Sequence, residues 1–185
     1  MRAIFLSTAA VALMGMAPTG SAVISVGGSS AESCYHAALA RDASDHGMRE
    51  CNTALNKDAI PYDDLVASYV NRGVLRLVRA DYRNAEADFN QAMALQPAQA
   101  EAWLNKGIAR YQLGDTNGAL EHFDRAIKLN TRFPALAHFG RALAHEDRGN
   151  IRGAYADLQR ASQLSPQWDA PRRELTRFQV RKPAA

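Results

Sequence analysis

Four side chains able to ligate zinc lie close together early in the chain: Cys34, His36, His46 and Cys51. Thiolate and imidazole are good zinc donors, but structural zinc sites space their cysteines far more tightly than this pair. The cysteines read better as a disulfide, with the two histidines at the surface. Between them the sequence reads helix, turn, helix, with the turn near Ala43 to Asp45. Cys34 lies about nine residues before that turn and Cys51 about seven after it. At about 1.5 Å per residue, both sit a similar distance from the end of a helical hairpin. Antiparallel helices then present the sulfurs to each other. Closing that loop contributes about 3 kcal/mol in the chain-entropy account. Two unlinked buried thiols are the alternative.

A second group is His122, His138 and His145. The last two share one helical face, and three imidazoles can hold a metal; helix packing and surface exposure are the expected roles. Oxidation would silence both cysteines as nucleophiles. The chain has no Gly-x-Ser-x-Gly, no phosphate-binding glycine loop and no paired-carboxylate motif. The expectation is therefore no catalytic residue, no metal and no cofactor.

The elements that hold these residues announce themselves by repetition. Asp88-Phe89-Asn90-Gln91-Ala92 returns as His122-Phe123-Asp124-Arg125-Ala126 and as Asp157-Leu158-Gln159-Arg160-Ala161. Ala85, Ala119 and Ala154 keep the same register, as do Leu95, Leu129 and Leu164. A period of 34 and then 35 residues marks a helical solenoid. Asp81, Asp115 and Asn150 read as N-caps of second helices. Gly114 and Gly149 end first helices in left-handed turns, and Ala80 at the matching place implies a turn of different shape. The expected helices are 32–41, 46–56, 62–79, 82–94, 100–113, 116–128, 134–148, 151–163 and 171–180, with Pro134 marking the extra residue in a loop.

Ahead of the array, Arg2 and the apolar run Ala3 to Ala17 precede the small residues Gly20-Ser21-Ala22. This layout is that of a secretory signal peptide, residues 1–22, cleaved after Ala22. The expected localisation is export to the periplasm, where the cysteines can oxidise. Residues 23–31 are expected to be a flexible mature N-terminus. The formal net charge of +3 is too mild to argue for nucleic acid. Arg172, Arg173, Arg177, Arg181 and Lys182 make the tail basic, and membrane contact is expected only there, if the tail is not simply a solubilising cap.

At this point the chain resembles the tetratricopeptide repeat family in a form common among bacterial proteins. The second repeat carries Trp103, Gly107, Gly114-Asp115, Ala119, Phe123 and Ala126. The first carries Tyr69, Gly73, Asp81, Ala85, Phe89, Ala92 and Pro97. The third carries His138, Ala142, Gly149, Ala154, Leu158, Ala161 and Pro166. The resemblance implies an all-α, right-handed helical-hairpin solenoid. Repeats at about 66–99, 100–134 and 135–168 form an array over 62–168. A degenerate helix pair at 32–61 and a capping helix and basic tail at 169–185 enclose it. The chain departs from the family at Arg72, Lys106 and Arg141, which stand one residue before the small position. Sixteen residues on come Asp88, His122 and Asp157, so Arg72–Asp88 and Arg141–Asp157 ion pairs are expected.

The resemblance also implies that the first helices line a concave face. Val70, Val74 and Leu77, then Leu104, Ile108 and Tyr111, then Phe139 and Leu143, form its apolar stripes, with Asn71 and Asn105 beside them. The functional expectation is a non-catalytic scaffold that binds a protein or peptide in this groove, within a cell-envelope assembly. The alternatives are that the stripes are core between hairpins, that the last helix with Leu175 and Phe178 fills the groove, that the chain is a structural or self-associating subunit, or that the histidines serve a metal protein or enzyme.

Overall fold

The computed structural model describes residues 29–56 and 60–178. The expected leader and the distal tail residues Arg181 and Lys182 lie outside them. The described residues form helices α1 (Ser29–Ala40), α2 (Asp45–Leu55), α3 (Tyr62–Val78), α4 (Tyr82–Leu95), α5 (Ala100–Gln112), α6 (Thr116–Lys128), α7 (Pro134–Asp147), α8 (Ile151–Leu164) and α9 (Ala170–Leu175). They pack as consecutive hairpins, α1–α2, α3–α4, α5–α6 and α7–α8, each against the next, with α9 on α8. Successive first helices also touch, α3 with α5 and α5 with α7, while successive second helices pack less closely. The first helices therefore form the inner rank of the curved array.

Two boundaries differ from the sequence reading. Helix α1 begins at Ser29, and Ala31 is buried, so residues 29–31 belong to the first hairpin rather than to a flexible lead-in. The last helix ends at Leu175 instead of 180, with a turn at Thr176–Arg177. It caps the third repeat: Trp168, just before it, packs tilted against Phe139 with ring centroids 4.9 Å apart, and Phe178, just after it, packs tilted against Tyr155 at 6.0 Å.

The repeated aromatic sits against glycine. A Cβ on Gly73 would lie 2.4 Å from the Phe89 ring, and one on Gly107 would lie 2.8 Å from the Phe123 ring. Phe123 is also bounded from the next repeat, where a Cβ on Gly140 would come within 2.6 Å of it. The ring is held between two helix backbones and has no exposed surface. The third repeat reaches the same end with Ala142 and the smaller Leu158, both buried. Gly140 as a second seat for Phe123 was not anticipated.

The hairpin turns are alike in all three repeats. The amides of Asp81, Asp115 and Asn150 donate to the carbonyls of Arg76, Arg110 and His145, each at 2.9 Å. Such a turn needs a left-handed residue, and Gly114 and Gly149 supply it at φ +81° and +73°. Ala80 adopts the same conformation at φ 58°, so the turn keeps its shape against expectation and Ala80 bears the strain. Asp115 and Asn150 cap as expected, accepting from the amides of Gly118 and Gly153. Asp81 does not; its carboxylate instead accepts from the Asn84 side chain.

Two outcomes follow, both measurable by urea denaturation. Ala80→Gly raises stability by about 0.5–1 kcal/mol, because the left-handed residue loses its Cβ penalty. Gly140→Ala lowers it by about 1–3 kcal/mol, because the new methyl group must displace the enclosed Phe123 ring.

Candidate functional site

The early cysteines are joined: Cys34 and Cys51 form a disulfide with an S–S distance of 2.05 Å. Both are fully buried among Ala31, Ala38, Ala54 and Leu75, so the crosslink ties the α1–α2 hairpin where it packs on α3. His36 and His46 point outward, each 3.7 Å from a carboxylate one helical turn away, Glu32 and Glu50. They line an open cleft of about 450 Å³ with Ser33, Asp42 and Glu50. Among the described residues no three metal-ligating side chains are grouped to hold an ion.

The ten residues expected to form the groove do lie along the inner rank of α3, α5 and α7. Nine are closed off from solvent. Val70, Asn71, Leu104, Asn105 and Phe139 are 0% exposed, and Val74, Leu77, Ile108 and Leu143 are at most 5% exposed. Leu77, Leu104, Ile108, Phe139 and Leu143 share one core cluster with Phe89 and Phe123, and Val70 packs with Val66, Ala92 and Ala102. The apolar stripes therefore weld hairpin to hairpin. Only Tyr111 is half-buried. Burial first, and then a hydrogen bond and charge from Asp147, push its phenol well above the usual tyrosine range. Asn105 donates to the Glu101 carbonyl at 2.9 Å. The last segment packs on α8 and also meets the end of this rank, Trp168 against Phe139 at 4.9 Å and Arg177 against Glu146 of α7 at 2.7 Å.

Between the two helices of each hairpin runs a second set of polar groups. Arg72 grips Asp88 with two hydrogen bonds of 3.1 and 2.7 Å and reaches Asn52 of α2 at 2.9 Å. Arg76 adds a contact of 2.8 Å to the same carboxylate. Arg141 grips Asp157 with two bonds of 2.7 Å and extends to Asp124 of the preceding repeat at 2.6 Å. His138 also bonds Asp157, at 2.8 Å through Nδ1. Burial alone would push the Asp157 carboxyl up. The Arg141 and His138 hydrogen bonds, with the Arg141 charge, outweigh it and hold the group below the usual carboxylate range. These are the two ion pairs that the sequence spacing predicts.

The middle repeat breaks the pattern. His122 stands where the others have aspartate, tilted against the Trp103 ring at 5.5 Å, with Arg125 over that ring at 5.9 Å. Lys106 turns instead to Glu86 of the preceding repeat, 3.8 Å away, where Arg110 also binds at 2.7 Å. Burial, followed by the charges of Lys106 and Arg110, lowers the His122 imidazole to about 4. Sequence reasoning missed Glu86 because the pair crosses between repeats. It also missed Glu101, which accepts from the Arg132 amide at 3.0 Å and fixes the loop that carries the extra residue. A buried-helix glutamate opposite a one-residue insertion was the available signal.

Comparison with known proteins agrees with the geometry. The tetratricopeptide repeat family model matches residues 100–133, the middle hairpin. Human tetratricopeptide repeat protein 36 is 33% identical over 96 residues, covering 50% of this chain and 51% of that protein. RNA polymerase II-associated protein 3 of Xenopus tropicalis is 35% identical over 81 residues, 44% of this chain and 12% of that protein. Human protein O-mannosyl-transferase TMTC3 is 30% identical over 90 residues, 48% and 10% respectively. The match thus spans about half the length of the first relative and a small part of the other two.

The His122 environment fixes a pH response. Its folded pKa lies below the unfolded value, so its contribution is complete above about pH 6.5 and is lost as pH falls toward about 4. Denaturation curves collected between these values should show a stability difference between the native chain and His122→Asn that shifts with pH inside this window and is flat above it.

Proposed function

We propose that this chain, an array of tetratricopeptide repeats, is a non-catalytic binding module that holds a protein or peptide partner along the inner rank of its first helices. The observation that carries the reading is Tyr111, which alone among the ten expected groove residues keeps part of its surface on this rank. Asn71 and Asn105 occupy the same position in two successive repeats and are fully enclosed, so they brace the rank from within instead of touching a partner. Tyr111 is the aromatic anchor of this face, with a large contact area and few rotatable bonds.

The chemistry of the chain supports binding in place of catalysis. Arg72 with Asp88, Arg110 with Glu86 and Arg141 with Asp157 are engaged with one another between helices, which stiffens the array and leaves it preformed for a partner. We place the protein in the cell envelope as an exported, periplasmic component of an assembly. The reasons are the apolar run Ala3 to Ala17 behind Arg2 and a disulfide that needs an oxidising compartment.

A photo-crosslinking residue at position 111 in cells, with one at the exposed outer position 121 as control, tests this reading. A discrete protein adduct from position 111 and none from 121 is the expected result. Tyr111→Ala should weaken capture of that protein about tenfold or more with helical content unchanged. Full retention by Tyr111→Ala would move the partner off the inner rank.

A further inference from the structure

We propose that copies of this chain associate head to tail, the acidic first hairpin of one docking on the arginine-rich end of the next. The charge of the array is polarised along its length. The α1–α2 hairpin carries Glu32, Asp42, Asp45 and Glu50 against Arg41 and Arg49. The side chains of Glu32 and Asp45 are 64% and 85% exposed; Glu32 and Glu50 contact imidazoles at 3.7 Å, and Asp45 contacts Arg79 of α3 at 2.8 Å. At the other end, Arg148, Arg152, Arg160, Arg172, Arg173 and Arg177 are all exposed. The acids of the stretch 148–178 are Asp157, Asp169 and Glu174, of which Asp157 is turned inward onto Arg141 with 7% of its side chain exposed; Arg173 meets Asp169 at 3.6 Å, and Arg177 meets Glu174 and, at 2.7 Å, Glu146 of α7. The intervening residues 60–147 are nearly balanced, with ten Lys and Arg against eleven Asp and Glu.

The fold keeps these two patches apart. Each hairpin packs only on its neighbours in sequence, so the first and last lie at opposite ends and do not meet within one chain. A second copy satisfies both at once. The acidic and basic surfaces differ, so the contact is heterologous and one copy leaves a free end of each sign, which gives open chains rather than a closed dimer. Balanced charge along the middle leaves side-by-side packing without a comparable attraction. Such a contact depends on exposed charges and weakens as salt screens them.

Analytical ultracentrifugation of the full chain at about 50 mM and about 500 mM salt tests the proposal. The expected result at low salt is an average mass that rises with concentration past that of a dimer, and a monomer at high salt. Arg172→Glu with Arg173→Glu, and separately Glu32→Lys with Glu50→Lys, should each give a monomer at low salt with unchanged helical content. Mixing the two variants should restore association, because the reversed ends attract again. A wild-type chain that stays monomeric at low salt overturns the proposal, as does association that survives both charge reversals. Should the monomeric chain instead sediment with phosphatidylglycerol vesicles, the arginine-rich end belongs to a lipid surface and the proposal fails.

Discussion

The array depends on an aromatic ring pressed against helix backbone. Phe89 rests on Gly73, and Phe123 is enclosed between Gly107 of its own hairpin and Gly140 of the next. Burying a ring of this size contributes about 1.5–3 kcal/mol, and the missing Cβ atoms let the helices come close enough to collect it. Phe123 belongs to two repeats at once. A helix pair on its own would leave that ring exposed on one side, so each hairpin is stable only as part of a stack.

Polar groups reinforce the same arrangement. Arg72 with Asp88 and Arg141 with Asp157 tie first helix to second, while Arg72 to Asn52, Arg141 to Asp124 and Arg110 to Glu86 tie one repeat to its neighbour. Removing one partner of such an enclosed pair typically costs more than the pair contributes, since the remaining charge is stranded away from water. The network thus stiffens the array and fixes its register. The ends are closed by different means: a disulfide at the first hairpin, and Trp168 packed tilted against Phe139 at the last.

Much of this was legible in the residues. The helices, the turns at Gly114 and Gly149, the disulfide and two ion pairs all follow from spacing, because each depends on a fixed offset within one hairpin. The apolar stripes of the first helices were legible as stripes, but helical periodicity reports only that a face is buried, and not whether a neighbouring helix or a partner buries it. Val70, Leu104 and Phe139 prove to be enclosed, whereas Tyr111, at the same helical spacing, keeps part of its surface.

The period, the hairpin unit and the identity of the packing residues follow from the order of residues alone. These are local properties, set by side-chain size, capping chemistry and the 3.6-residue turn. The folded stack sets how neighbouring units share their residues. It seated Phe123 on Gly140, sent Lys106 and Arg110 to Glu86, held Ala80 in a left-handed turn and ended the last helix at Leu175. Each of these is a contact or strain between segments whose approach no single-repeat pattern encodes. It also set the acidic and basic hairpins at opposite ends, since a stack that contacts only its neighbours converts order along the chain into distance in space.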